Sequence, residues 1–198
     1  MITQRSGLRI VGSLLLVVVG VITIRTFAAG PDVHADGAGP LGSLGGPGSE
    51  SMSVDPSSGS VSWTYGLRLC LAHGTATPIL QTVAAKATLG TGFRTLGTKV
   101  RTFTPTRTVT PIISVDGYPP PTDKVPDSGS DVPGFAVATP CSNRPEEPYT
   151  ELLVGLGRAG SDGGGWKGIK IEYLVDGRTR TLELDHDLLI CGDANPVC

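Results

Sequence analysis

The chain has 198 residues, a net charge of −2 and a pI near 5.9, a balance that excludes a typical nucleic-acid binder with its strongly basic face. Glycine (28) and proline (16) are abundant and charged residues make up only 17%. Both Gly and Pro weaken helix interiors, so the composition favours strands and turns, with a core drawn from Val, Ile, Leu and Ala because aromatic residues are only 5%.

The first element is apolar. Residues 10–24, IVGSLLLVVVGVITI, carry no charge; Arg5 and Arg9 precede them, Arg25 follows, and the next charges are the acids Asp32, Asp36, Glu50 and Asp55. Basic flanks stay on the cytoplasmic side, which puts the N-terminus inside and everything from residue 30 outside. As a helix the run spans about 22 Å, short for a bilayer. Adding RTFAA extends it to about 20 residues, the thickness of the hydrocarbon core, with Arg25 snorkelling outward. Residues 1–29 therefore read as a signal-anchor, one transmembrane helix of a single-pass plasma-membrane protein. The alternative is a cleaved signal ending at Ala35, after VHA, and a secreted product.

Residues 30–60 are dominated by Gly, Pro and Ser, with few large apolar side chains. Such a stretch buries too little surface to offset its ordering entropy and reads as a flexible tether. From Val61 the texture changes. VSWTYGLRLCLA alternates, with Leu67, Leu69 and Leu71 on one face and Arg68 and Cys70 on the other, as in a strand with one buried side. Further strands are expected over 93–104, 109–115, 134–139, 150–157, 168–176 and 178–190. Residues 78–88 fit a helix (Thr77 as N-cap, Pro78 in the first turn, Gly90 past the end) or a strand, PILQTV, followed by a small-residue turn, and the β-rich neighbourhood favours the strand. Short strands at this spacing predict an all-β fold, an Ig-like antiparallel β-sandwich over 61–198.

Asp176-Gly177 is a strong two-residue hairpin signal. Placing Val175 opposite Arg178 sets Ile171 against Leu182, Ile169 against Leu184 and Lys170 against Glu183, so one register satisfies both faces. Residues 118–133, YPPPTDKVPDSGSDVP, form a Pro-rich loop, either an exposed connection or a partner-docking segment beginning at Tyr118. TFTPTRTVTP, 102–111, is compatible with O-glycosylation or with a Thr-rich strand. Between Pro56 and Asp116 every charge is basic, from Arg68 to Arg107. That pattern fits a patch for an anionic wall polymer or lipid headgroups, or strands of opposite sign side by side.

Gly155, Gly157 and Gly160 spell G-x-G-x-x-G after an apolar run, with Asp176 at the spacing of a dinucleotide-binding fingerprint. That fingerprint needs a helix to present its N-terminus to the pyrophosphate. The following SDGGGWKG is too glycine-rich for one, so the loop is expected to join two strands that pair antiparallel. Trp166 then lies in a glycine-rich turn, as an exposed contact residue or a lid on the sandwich edge.

Four cysteines, Cys70, Cys141, Cys191 and Cys198, without a C-x-x-C read as two disulfides in an exported chain. Cys70–Cys141 with Cys191–Cys198 leads; Cys70–Cys191 with Cys141–Cys198 is the rival. His73, His186 and a carboxylate such as Asp185 or Asp187 are the only candidates for a Zn or Cu site. No G-x-S-x-G elbow or S-x-x-K motif marks a nucleophile, and no cofactor signature is present.

The segments YGLRLCLAHG, ELLVGLGR and GIKIEYLVDGRTRTLELDHDLLIC, within residues 61–191, resemble small membrane-anchored or secreted Ig-like β-sandwich proteins of unknown function from high-GC Gram-positive bacteria. Cys198 departs from that pattern, and the resemblance transfers no catalytic residue. The expectation is a non-enzymatic, membrane-tethered extracytoplasmic domain that binds or scaffolds at the cell envelope, with an envelope protein or wall polymer as partner. The alternatives are an extracytoplasmic metal-binding module using His73 and His186, or a secreted hydrolase with an unmarked triad.

Overall fold

The structure, a computed structural model, describes residues 33–35, 39–44, 50–55, 59–106, 111–123, 125–142, 144 and 147–193. The expected membrane anchor, residues 1–29, lies outside these. Among the described residues there is no helix, and hence none long and apolar enough to cross a membrane.

In chain order the strands are β1 (Val33–Ala35), β2 (Leu41–Leu44), β3 (Glu50–Val54), β4 (Ser62–Leu71), β5 (Ile79–Leu89), β6 (Phe93–Phe103), β7 (Ser114–Asp116), β8 (Ser130–Asp131), β9 (Tyr149–Arg158), β10 (Gly164–Val175), β11 (Arg178–Leu184) and β12 (His186–Ile190). They form a seven-stranded sheet, β1-β2-β4-β9-β6-β8 with β7 also on β4. The second, five-stranded sheet is β11-β10-β12-β3 with β5 also on β10. The fold is all-β and sandwich-like. One core joins Trp63, Tyr65, Leu67 and Leu69 of β4 and Leu152, Val154 and Leu156 of β9 to Ile169, Ile171 and Tyr173 of β10 and Leu182 and Leu184 of β11. Strand alternation accounts for this, since residues two apart share a face. Two side chains tie the sheets by hydrogen bonds: Tyr65 Oη donates to Leu189 O (2.6 Å) and Trp166 Nε1 to Thr95 Oγ1 (2.9 Å).

The hairpin follows the expected register, with Val175↔Arg178, Ile171↔Leu182, Ile169↔Leu184 and Lys170↔Glu183. Asp176 (φ 50°) and Gly177 (φ 71°) supply the positive φ that a type I′ turn needs. The ion pairs differ from the cross-strand expectation. Lys170 bonds Glu172 on its own strand (2.8 Å), while Glu183 bonds Lys86 of β5 (3.1 Å).

Several expectations are corrected. The favoured strand PILQTV is found but no turn follows it: the strand continues through the small residues to Leu89, and β5 pairs along the length of β10. The run 178–190 breaks at Asp185 into β11 and β12, both lying along β10. Residues 134–139 form no strand, only a bridge between Ala136 and Ile79. The 109–115 candidate reduces to Ser114–Asp116 among the described residues. The sandwich is not purely antiparallel, because β3 runs parallel to β12.

Composition also misplaces the domain boundary. Within 30–60, β2 pairs β4 and β3 pairs β12, and Leu41 is fully buried in the core. A segment with few apolar residues still folds when the rest of the domain supplies slots for those few. Here Gly39 makes room for the Tyr173 hydroxyl, which would collide with a side chain at that position.

The GLGRAG segment is a crossing rather than a hairpin. β9 and β10 lie in different sheets, so the expected antiparallel pairing between them does not occur. Residues 90–92 make the opposite crossing from β5 to β6, and the two connections bond to each other: Ala159 N to Gly92 O (2.7 Å) and Gly92 N to Gly163 O (3.0 Å). Gly92 is required there, because a Cβ would press on the Gly163 backbone.

Candidate functional site

β9 is buried on both faces for nearly its whole length, because the segment 111–132 packs over the side of the seven-stranded sheet that faces away from the core. Tyr118 is therefore partly buried rather than presented on an open loop. Its ring sits where a side chain of Gly155 would be, and its hydroxyl lies beside Gly97, the cross-strand partner of Gly155. Ile112 occupies the corresponding space at Gly66 of β4. Gly155, the first glycine of the fingerprint, thus serves close packing of a covering segment. Desolvation raises the Tyr118 phenol pKa above its ordinary value, Lys99 opposing.

Beneath this cover three side chains stand in one row. Glu151 of β9 has Arg68 of β4 opposite on one side and Arg101 of β6 on the other. Arg101 grips one carboxylate oxygen twice, Nε at 2.8 Å and Nη2 at 2.6 Å to Oε2. The other oxygen, Oε1, accepts from Ile112 N at 2.6 Å. Arg101 and Glu151 are 2% and 0% exposed, so this is a buried, hydrogen-bonded pair. Burial raises the Glu151 pKa, and Arg101, the Ile112 N–H and Arg68 pull it back only in part. Arg68 is left over. It makes no hydrogen bond or ion pair among the described residues, and its guanidinium rests over the Tyr149 ring at 5.4 Å.

Arg68 borders an opening in the sheet edge. On the side of β4 away from β9, β7 pairs with Trp63–Tyr65 and β2 with Leu69–Leu71. Among the described residues no strand lies beside Gly66–Arg68 there; Gly66 N bonds to Ile113 O (3.2 Å). Through this gap a cleft of about 380 Å³ reaches inward. Its walls are mainly apolar: Leu44 of β2, Met52 of β3, Leu67 of β4 and the turn Pro111–Ile113; its polar members are Ser43, Arg68 and His186. Ile113 stands at the mouth, 73% exposed. The volume lies within the range of small-ligand pockets, roughly 300–1,000 Å³, and so does the pattern of an apolar wall with few polar groups.

The residues singled out from sequence are dispersed. His186 lines this cleft, whereas His73 is exposed beyond the end of β4. Asp187 is engaged elsewhere, accepting from Gly168 N (3.0 Å) and pairing with Lys167 (3.0 Å), and Asp185 pairs with Lys86 (2.8 Å). Among the described residues no group of three or more His, Cys, Asp or Glu side chains is placed to hold a metal ion. Trp166 is not an exposed contact residue: it is a member of β10, 4% exposed, its ring in the core. Cys70 and Cys141 are bonded, which excludes the rival pairing; the partner expected for Cys191, Cys198, lies outside the described residues. The cleft residues Arg68, Met52 and Ile112 were not marked by any motif. Arg68 carried one signal, a charge alternating with leucines on a strand, and that signal is shared by any solvated strand face.

No known protein family matches the chain, and comparison with curated proteins gave no significant match.

Proposed function

We propose that this is a non-enzymatic binding module, an Ig-like β-sandwich ectodomain held at the outer face of the plasma membrane by its N-terminal helix. It takes a ligand in the cleft between β2 and β7. The observation that carries the reading is Arg68, a cation with no hydrogen-bond acceptor among the described residues, at the border of an apolar cleft. Buried or partly buried cations are ordinarily paired, and a binding site is where the missing acceptor arrives from outside. The location rests on the charge asymmetry around residues 10–24 and on the Cys70–Cys141 bridge, a bond that persists in oxidising compartments. Protease added to intact cells should digest the domain while leaving cytoplasmic markers whole; protection of the domain until lysis would overturn the location.

A second reading has one observation behind it. Ser43 and His186 both line the cleft, the pair a hydrolase needs for nucleophile and base. Ser43 is only 1% exposed, which restricts access to its hydroxyl. Labelling by a fluorophosphonate probe that Ser43→Ala abolishes would select this reading; absence of labelling leaves the binding module.

A further inference from the structure

The charge and shape of the cleft define a ligand class. We infer that it holds a single-chain amphiphile with one negative charge, its carboxylate on Arg68 and its aliphatic chain along Leu44, Met52, Ile112 and Ile113. This deepens the binding reading above and rests on it.

Three observations converge. First, the row Arg68–Glu151–Arg101 carries two guanidinium groups and one carboxyl. Glu151 spends Oε2 on Arg101 and Oε1 on Ile112 N, so its hydrogen bonds go to groups other than Arg68. One positive charge is therefore in excess at the cleft border, and a monoanion balances it. Arg presents a planar fork matched to a carboxylate. Second, the remaining wall is apolar and its outermost member, Ile113, is 73% exposed. A large aliphatic side chain left in water at the mouth of an apolar cleft gains stability when a chain covers it. Third, among the described residues the lining contains no Asp or Glu, so none of them repels an anion or pairs with a cationic head. An apolar ligand without a charge would leave Arg68 as it stands; a cationic one would add like charge beside it.

The test is a titration of the full-length protein, held in amphipol, with submicellar decanoate, decyl phosphate, decanol and decyltrimethylammonium, read by methyl NMR of Ile113 and Met52. Decanoate should shift these signals saturably. Decanol and decyltrimethylammonium should bind at least about tenfold more weakly, the loss expected for one charge-assisted hydrogen bond. Arg68→Gln should weaken decanoate by about tenfold and leave decanol unchanged, and Arg68→Lys should fall between. If Arg68→Gln loses its dispersed methyl spectrum, the surface variant Ile113→Asp replaces it, read at Met52: it should abolish decanoate binding. Decanol equalling decanoate, or decanoate unaffected by these variants, overturns the anion assignment while leaving a cleft that binds. Decyl phosphate outcompeting decanoate overturns the carboxylate. No saturable shift with any probe overturns the ligand class, whereas the protease experiment on intact cells bears separately on the location.

Discussion

The Tyr118 ring occupies the space that a side chain at Gly155 would need. A glycine on a central strand is therefore the seat of an aromatic ring from a segment 37 residues upstream, as their numbers give. Gly155→Ala forces ring or strand to move, an overpacking that costs about 1–3 kcal/mol. Urea denaturation should show this loss, and in a Tyr118→Ala background the same substitution should cost much less. Equal penalties in the two backgrounds would mean that the ring does not seat there.

Arg101 and Glu151 form a pair whose separation should be severe. Removing one partner leaves the other charged and buried, a loss of about 3–5 kcal/mol. Arg101→Met alone should approach this value by chemical denaturation. Glu151→Gln should be milder, because an amide oxygen still accepts from Ile112 N or from Arg101. The double change Arg101→Met with Glu151→Leu should recover most of the stability, as apolar replacements of buried pairs often do.

The Cys70–Cys141 bridge closes a separation of 71 residues between the end of β4 and the segment leading to β9. Loops of this length correspond to about 4 kcal/mol in the chain-entropy model. Cys70→Ser combined with Cys141→Ser should lower the unfolding free energy by roughly 2–4 kcal/mol. An unchanged urea midpoint would show that the loop is already constrained without sulfur.

Asp131 and Glu172 titrate below their ordinary values. A hydrogen bond from Lys99 and its charge lower Asp131, and hydrogen bonds from Lys170 and Thr82 with the charge of Lys170 lower Glu172. A carboxyl depressed in the folded state stabilises above its unfolded pKa, and the contribution is lost as pH falls through the folded pKa. Both contributions should therefore be intact at neutral pH and disappear on the acid side. Carboxyl-carbon NMR should show Asp131 moving back up toward 3.8 in Lys99→Met, with Glu172 unmoved. A stationary Asp131 would show that the pair exerts no pull in solution.

Much of the architecture is legible in the sequence. Strand alternation marked β4, a short apolar run marked β9, and Asp176-Gly177 set the register of β10 on β11, because side-chain pattern and turn geometry are local properties. No helix follows the glycine fingerprint, as its glycine content predicted, but the antiparallel pairing expected across it does not occur, because β9 and β10 lie in different sheets. The tether was misread because composition averages over a segment, whereas Leu41 is buried by a slot that distant residues create. Trp166 was misread for a related reason: its glycine neighbours suggested a turn, but they serve close strand approach, and Leu188 pairs beside it.

From its residues alone this chain is a β-rich protein with an apolar N-terminal segment, a hairpin of defined register and cysteines suited to bridging, because these follow from hydrophobic period, charge order and turn chemistry over short distances. Which sheet each strand joins, the covering of β9, and the meeting of Arg68 with an apolar cleft depend on chain segments far apart in sequence. Only packing in three dimensions brings those segments together, so only the tertiary structure decides them.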